Sequence, residues 1–435
     1  MNNIRNIELA ACDKFIKSTL DLPGSKSIAN RVLPLAAFAD GISIIHNVPD
    51  VGEDVQLMLQ ALSQLGIKIE KIRAAANGCS SYKIYGCGGK LPVAEAELFL
   101  GNSGTSIRFL SAMLALTSGS YILTGIARMK ERPIKDLISA LSQLGCQIDY
   151  LENNGFPPLK VGGFKDNNID QITISGKVSS QYLTGVLMAL PLLGRIVQIK
   201  IEDELISRPY VDITLQLLEL FGVKAIEIEE NTFQLPVNNG YRAIEYTVEP
   251  DASSASYFLA MGAINGDVTV NHLSATSLQG DRNFARVLEK MGAIVTYTDN
   301  SIIVKTKGKL QAITVDMEDM PDVAMTIAVL ALFADGVTTI NGIASWKVKE
   351  TDRLLAIYTE LTKLGAKVSY TDSSISIIPP EKINPNIGID TYNDHRMAMC
   401  FSLLAIAGVP VVINDYECVG KTFANYFDVF RQIAY

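Results

Sequence analysis

One pattern recurs six times along the 435 residues, and it constrains the fold more than any other feature. An apolar helix-like run ends at a glycine, a β-type run follows, and an amphipathic helix-like run then ends at a second glycine. The first glycine stands in AFADGISIIHN (Gly41), ALTSGSYILTG (Gly119), PLLGRIVQIK (Gly194), AINGDVTVNH (Gly266), LFADGVTTING (Gly336) and AIAGVPVVIN (Gly408), at spacings of 78, 75, 72, 70 and 72 residues. The second stands in QLGIKI (Gly66), QLGCQI (Gly145), LFGVKA (Gly222), KMGAIV (Gly292) and KLGAKV (Gly365), at spacings of 79, 77, 70 and 73. Two markers that keep one period argue for six copies of an α+β unit. Glycine just past a helix supplies the left-handed residue that ends it, and the Val/Ile-rich runs that follow suit strands.

The two helix classes differ in pattern. Asp136 to Leu144 and Asp352 to Leu364 carry apolar residues at i, i+3, i+4 and i+7, so they are predicted to lie half-buried. The run Ala324 to Ala334 is apolar throughout and is predicted to be a buried helix. The sixth copy reaches the C-terminus without closing strands, which the N-terminal run Ile4 to Leu22 can supply. The expected architecture is two domains of three units each. One is discontinuous, 1–24 with 248–435, and the other is 25–247. The chain crosses at Leu22-Pro-Gly24 and at Thr247-Val-Glu-Pro250, with a closing cleft expected between the halves.

Composition narrows the partners. At 48% apolar and 19% charged, without low-complexity segments, the chain buries a large core. A net charge of −8 argues against nucleic acid or an anionic membrane as the main partner, yet leaves small anions open. No run approaches the roughly 18 apolar residues of a membrane span, and Met1 to Leu9 lacks an apolar signal core. Six scattered cysteines read as reduced thiols of a cytoplasmic protein, with no metal site.

Small polar residues open each apolar helix: Gly24-Ser-Lys-Ser27, Gly101-Asn-Ser-Gly-Thr-Ser106, Ser179-Ser-Gln181, Asp251-Ala-Ser-Ser254, Pro321-Asp322 and Tyr392-Asn-Asp-His-Arg396. Any one of them reads as a helix cap. Cations nearby change that reading. Lys26, Arg31, Arg108 and Arg396 follow these starts, while Arg132, Lys349, Arg353 and Lys421 precede the second helices. A cation in a first helical turn opposes the macrodipole unless an anion is bound there, and helix N-termini bind phosphate and carboxylate directly. Gly24-Ser-Lys-Ser27 lacks the glycine spacing of a P-loop. His46 and His272 follow β-type runs and read as structural, whereas His395, between Asp394 and Arg396, is the candidate catalytic imidazole.

LPGSKSIANR (22–31), LFLGNSGTSIR (98–108), RMKERPI (128–134), VSSQYLTG (178–185), SRPYVDIT (207–214), DASSASYF (251–258), PDVAMTIA (321–328), VKETDRL (348–354) and YNDHRMAM (392–399), in that order, resemble the EPSP synthase family. The resemblance implies two domains of three βαβαββ-type units each, an inverse α/β barrel with the active site in the inter-domain cleft. It implies enolpyruvyl transfer from phosphoenolpyruvate to the 5-hydroxyl of shikimate 3-phosphate, in aromatic amino acid biosynthesis. Shikimate 3-phosphate falls to Lys26, Ser27, Arg31, Ser179, Ser180 and Gln181, with Ser207, Tyr210, Asp322, Ser345 and Lys349. Phosphoenolpyruvate falls to Lys26, Asn102, Gly104, Thr105, Arg132 and Gln181, with Arg353, Arg396 and Lys421. The discontinuous domain is thereby mainly the phosphoenolpyruvate side. Asp322 is assigned as the base at the 5-hydroxyl and Glu350 as the proton donor to the methylene carbon, with Lys26 and His395 in support. No cofactor or metal is needed, and a monomer is expected.

Two residues depart from the family pattern. Ser345 replaces the usual Asn before Trp346, and Phe109 replaces the Pro often found after Arg108, which bears on glyphosate as an inhibitor. Two other readings compete. A sister transferase acting on UDP-N-acetylglucosamine carries a reactive cysteine before its Arg-Pro pair, and Gly125 to Arg132 contains none. A non-catalytic anion-binding repeat protein has no use for Asp322, Glu350 and His395.

Overall fold

The first glycine stands between a buried helix and a strand in four copies, opens the strand itself at Gly266, and follows a two-residue strand at Gly336. In a computed structural model describing residues 5–74, 78–237 and 240–435, the chain divides into two units, Met1–Pro23 with Glu249–Tyr435, and Gly24–Val248. Ile4, where the closing N-terminal run was expected to begin, lies outside the described residues.

Gly24–Val248 holds three helix pairs: α1 (Lys26–Phe38) with α2 (Glu53–Gln64), α3 (Gly104–Ala115) with α4 (Lys135–Gln143), and α5 (Ser180–Ala189) with α6 (Arg208–Leu220). The other unit holds α7 (Ala252–Asn265) with α8 (Phe284–Lys290), α9 (Ala324–Leu330) with α10 (Arg353–Lys363), then α11 (His395–Phe401), α12 (Leu403–Ile406) and α13 (Tyr426–Ala434). The first helix of each pair is buried along nearly its whole length, as in α3, where every residue is inside. The second-marker glycines take φ from +88° at Gly66 to +98° at Gly292, a conformation that costs a side chain but not glycine.

Each sheet is completed from the preceding copy. Glu95–Phe99 runs parallel to Ser120–Thr124, and Gln171–Ile174 to Val197–Ile201. Glu245–Thr247, at the end of the third copy, returns to run parallel to Ile42–Val48 of the first, so the three sheets form a closed cycle. The same cycle closes in the other unit with the N-terminus. Ile16–Leu20 runs parallel to Gly266–Asn271, and Ile7–Leu9 pairs antiparallel with Val411–Ile413. The N-terminal run thus serves two copies, the fourth and the sixth.

Two buried helices are shorter than their composition predicts. The run 324–334 leaves the α-helix at Leu330, because Ala334–Asp335 pairs parallel with Leu310–Gln311 and draws the chain out. The sixth breaks at Ser402, whose hydroxyl donates to the Met399 carbonyl at 2.7 Å and so competes with the helix.

Candidate active site

In four copies the start of the buried helix meets the lead-in or first turn of the second helix through a polar pair. Lys26 meets Asp54, Asn102 meets Arg132, Ser253 meets Asp281, and Asp322 meets Arg353. The partners lie 28 to 31 residues apart in sequence, so in these four copies the repeat itself delivers one polar pair to the same end of the buried helix.

Within Gly24–Val248, Lys26 opens α1 and its Nζ lies 3.2 Å from Asp54 Oδ2 in the first turn of α2. Asp54 was not singled out by the sequence reading; its signal was an acid in the first helical turn, which elsewhere means only a favourable dipole. Arg31 lies inside this unit. Its guanidinium donates to the Ser27 carbonyl at 2.7 Å, Thr214 Oγ1 at 2.9 Å and the Tyr210 carbonyl at 3.1 Å, over the Phe109 ring. Burial lowers its pKa to about 10, against the pull of Tyr210. Phe109 therefore fills space beneath Arg31 and is fully buried.

Arg132 donates to the Asn102 carbonyl at 2.9 Å and to its side-chain oxygen at 3.1 Å. Gly104 leaves room for that guanidinium: a Cβ there would come 2.6 Å from Arg132 Nη2. Thr105 Oγ1 accepts from Asn30 Nδ2 at 2.8 Å and so ties α3 to α1. Gln181 is oriented by Arg108, which donates to its Oε1 at 2.6 Å and to the Pro133 carbonyl at 3.0 Å. Ser179 caps α5 by accepting from Gln181 N at 3.3 Å, and Ser180 is buried behind it. Ser207 sits at φ +55° just before α6, with Tyr210 in the first turn of that helix.

The other unit contains a denser cluster. Asp322 Oδ1 accepts from Arg353 Nη1 at 3.0 Å and Lys349 Nζ at 3.2 Å, and Oδ2 accepts from Arg396 Nη2 at 2.9 Å. Arg353 also donates through Nε to Asp394 at 2.7 Å and through Nη2 to Glu350 at 2.9 Å. Asp394 in turn caps α11 by accepting from Arg396 N at 2.9 Å. The Tyr257 hydroxyl accepts from Arg396 Nη1 at 3.2 Å. Trp346, fully buried, donates from Nε1 to the Pro321 carbonyl at 2.7 Å, which locks the turn bearing Asp322 against the segment bearing Lys349 and Glu350. Ser345 is half-buried beside it, Lys421 is buried at the end of a short 3-10 turn, and His395 Nδ1 lies 3.4 Å from Asp394 Oδ1.

Charge balance sets the acidities. Burial penalises the Asp322 charge, but Arg396, Lys349 and Arg353 together outweigh it and hold the carboxyl well below its usual range. Burial likewise opposes the Arg353 charge, and Asp394, then Glu350 and Asp322, override it, so its pKa is raised. Lys349 goes the other way: burial lowers its pKa despite Asp322. Asp281, hydrogen-bonded by Ser253, is pushed up to about 6 by burial, with Asp322 adding to the effect. Asp54, Tyr257 and Asp281 join the candidate residues only through the structure. His46 bonds Ser81 at 2.9 Å and Glu245 at 3.0 Å, and His272 bonds Asn300 at 3.2 Å.

Comparison with known proteins gives a consistent result. The sequence model described as EPSP synthase (3-phosphoshikimate 1-carboxyvinyltransferase) matches residues 12–430. A 3-phosphoshikimate 1-carboxyvinyltransferase of Ralstonia nicotianae is 50% identical over 434 residues, covering 97% of this chain and 98% of that protein. One of Paraburkholderia phytofirmans is 49% identical over 425 residues, covering 96% of each. Among solved structures, EPSP synthase from Acinetobacter baumannii superposes with a TM-score of 0.81 at 25% identity, covering 98% of both chains. The enolpyruvyl transferase NikO from Streptomyces tendae, at 14% identity and a TM-score of 0.75, covers 99% of this chain and 98% of its own and shares the fold.

Proposed function

This chain belongs to the EPSP synthase family, and from that premise we propose that it transfers the 1-carboxyvinyl group of phosphoenolpyruvate to the 5-hydroxyl of shikimate 3-phosphate, releasing phosphate. The reaction serves aromatic amino acid biosynthesis. Among the described residues no helix is long and apolar enough to cross a membrane. From family membership we place the enzyme in the cytoplasm as a monomer.

The observation that carries the mechanism is the Asp322 carboxylate, which gathers Lys349, Arg353 and Arg396 while Glu350 shares Arg353. These cations neutralise Asp322 and keep it a weak base. Phosphoenolpyruvate brings its own phosphate and carboxylate to Arg353, Arg396 and Lys421, with Arg132, Asn102, Gly104 and Thr105 as further contacts. The cations then re-pair with the ligand, Asp322 loses its compensation, and its basicity rises. Lys26, paired with Asp54, undergoes the same exchange. Ser27, Ser179, Ser180, Gln181, Ser207, Tyr210, Ser345 and Lys349 hold shikimate 3-phosphate, and Arg31 supports them through the Ser27 and Tyr210 carbonyls.

Glu350 protonates the methylene carbon, giving cationic character at C2. The 5-hydroxyl oxygen bonds to C2 as its proton passes to Asp322. The C2–O bond to phosphate then breaks, with arginine and lysine stabilising the departing charge, and the new methyl returns a proton to Glu350 to restore the double bond. His395, buried beside Asp394, has a supporting part.

The decisive assay is phosphate release from phosphoenolpyruvate with either shikimate 3-phosphate or UDP-N-acetylglucosamine as acceptor. Release with the UDP-sugar alone refutes the acceptor assignment. Glu350→Gln is expected to bind both substrates normally and to lose turnover by on the order of 100-fold; normal turnover removes Glu350 from the proton path. Gly104→Ala tests the phosphoenolpyruvate assignment of Arg132. The added methyl displaces a flexible side-chain end, so thermal stability is preserved, while KM for phosphoenolpyruvate rises by on the order of tenfold. An unchanged KM separates Arg132 from that ligand.

A further inference from the structure

The segment just ahead of α11 is a tight turn made by the wrong residue. Asp394 N donates to the Thr391 carbonyl at 2.8 Å, and the two residues between, Tyr392 and Asn393, have φ of +53° and +54°. Positive φ at both central positions is the mark of a type I′ turn, usually made by Asn-Gly. Asparagine accepts that conformation readily; tyrosine does not, because its Cβ crowds the following carbonyl. A tyrosine persists in such a place where its surroundings hold it, and this occurs chiefly at functional sites.

Glu360 holds it. This fully buried carboxylate on α10 accepts from the Tyr392 hydroxyl at 2.6 Å, from Lys363 at 2.9 Å and from Asp390 N at 3.3 Å. Burial, and then Glu360, keep the Tyr392 hydroxyl protonated well beyond its usual range, so it stays a donor. The ring itself is 41% exposed and contributes little to the core. What the turn carries is Asp394, clamped on Arg353 at 2.7 Å, and two residues on, Arg396. Arg353 opens α10, two turns before Glu360. One helix therefore bears the guanidinium at its start and, further along, the carboxylate that holds the clamp in register.

We propose that Tyr392, through its hydrogen bond to Glu360, is a positioning residue that sets Asp394 against Arg353 and thereby keeps Arg353 and Arg396 aligned to receive phosphoenolpyruvate. This rests on the assignment of those arginines to that ligand.

Steady-state kinetics of Tyr392→Phe and Tyr392→Gly test it. Phenylalanine keeps the strained backbone and loses the tether, so KM for phosphoenolpyruvate rises by on the order of tenfold, while KM for shikimate 3-phosphate and the thermal midpoint hold. Glycine loses the tether but takes the left-handed conformation freely, so its KM for phosphoenolpyruvate rises less than that of the phenylalanine variant. A phenylalanine variant with wild-type KM, one that loses only thermal stability, or a glycine variant worse than phenylalanine overturns the proposal. Arg396→Ala separates the two levels: an unchanged KM for phosphoenolpyruvate in that variant sinks the underlying assignment instead, whatever Tyr392 does.

Discussion

Asp322→Asn is expected to lower kcat by about 1000-fold and, in the same variant, to tighten phosphoenolpyruvate binding. The two effects have one cause. In the proposed mechanism Asp322 competes with the substrate anion for Lys349, Arg353 and Arg396, with which it is paired, so neutralising it leaves those cations more available. It also removes the proposed acceptor of the 5-hydroxyl proton, and an amide of nearly the same shape has no comparable basicity. Binding is read by titration calorimetry with phosphoenolpyruvate and shikimate 3-phosphate, turnover by phosphate release. A purely structural Asp322 predicts weaker binding, a lower thermal midpoint and a kcat within tenfold of wild type. That outcome would remove the base from the mechanism and the competition from the binding argument.

The second large effect is on folding. Arg353 is 1% exposed and donates to Asp322, Glu350 and Asp394. Arg353→Met keeps the volume and leaves three carboxylates facing one another with Lys349 and Arg396 as the cations that remain. Breaking a buried ion pair at one side costs about 3–5 kcal/mol, because the partner stays buried and uncompensated. Trp346 is the only tryptophan of the chain and is buried beside this cluster through Pro321, so its fluorescence follows the unfolding of this unit in urea. The expected result is a midpoint well below wild type together with abolished turnover. Arg353→Lys, which retains the charge but lacks the planar fork that reaches several carboxylates, falls between the two. An Arg353→Met variant that unfolds within about 1 kcal/mol of wild type shows that the carboxylates simply protonate at no loss, and that the network contributes nothing net.

These two results bear on how the site is wired. Four of the cations expected to receive anions have partners within the protein: Lys26 in Asp54, Arg132 in Asn102, and Arg353 and Arg396 in carboxylates. Helix N-termini carrying cations need such partners, since the macrodipole alone works against them. The need for partners at these positions was legible from Lys26, Arg108 and Arg396 in sequence; which residues provide them was not, Asp54 for Lys26, Asp322 for Arg396 and the neutral Gln181 for Arg108. Asp322 and Arg396 are 74 residues apart, and nothing local in either segment marks the pairing.

Arg31 makes the same point from the other side. Its place five residues after Lys26 reads as one more cation on an anion-binding face. In the folded chain the helix turns it inward, where Thr214, Ser27 and Tyr210 take its donors above the Phe109 ring. Lys26 and Arg31 stand roughly 140° apart around the helix, and packing against α6 gives Arg31 internal partners that its sequence position does not announce. Tyr392 was equally silent: its residue type argues against a type I′ turn, and only Glu360, 32 residues earlier, makes the turn tenable.

The sequence by itself determined the sixfold unit, because glycine at a helix end and the alternation of apolar patterns act within a few residues and leave a periodic trace. It also singled out helix ends as candidates for chemistry, since a cation in a first helical turn opposes the macrodipole unless it finds a partner. The N-terminal run was legible as closing the sixth copy, but tertiary structure alone decided that Ile16–Leu20 also joins Gly266–Asn271 of the fourth and that Glu245–Thr247 returns to Ile42–Val48. It alone decided which carboxylate neutralises which cation. Strand closure and ion pairing depend on distances in space between segments remote in the chain, and no local pattern encodes such a distance.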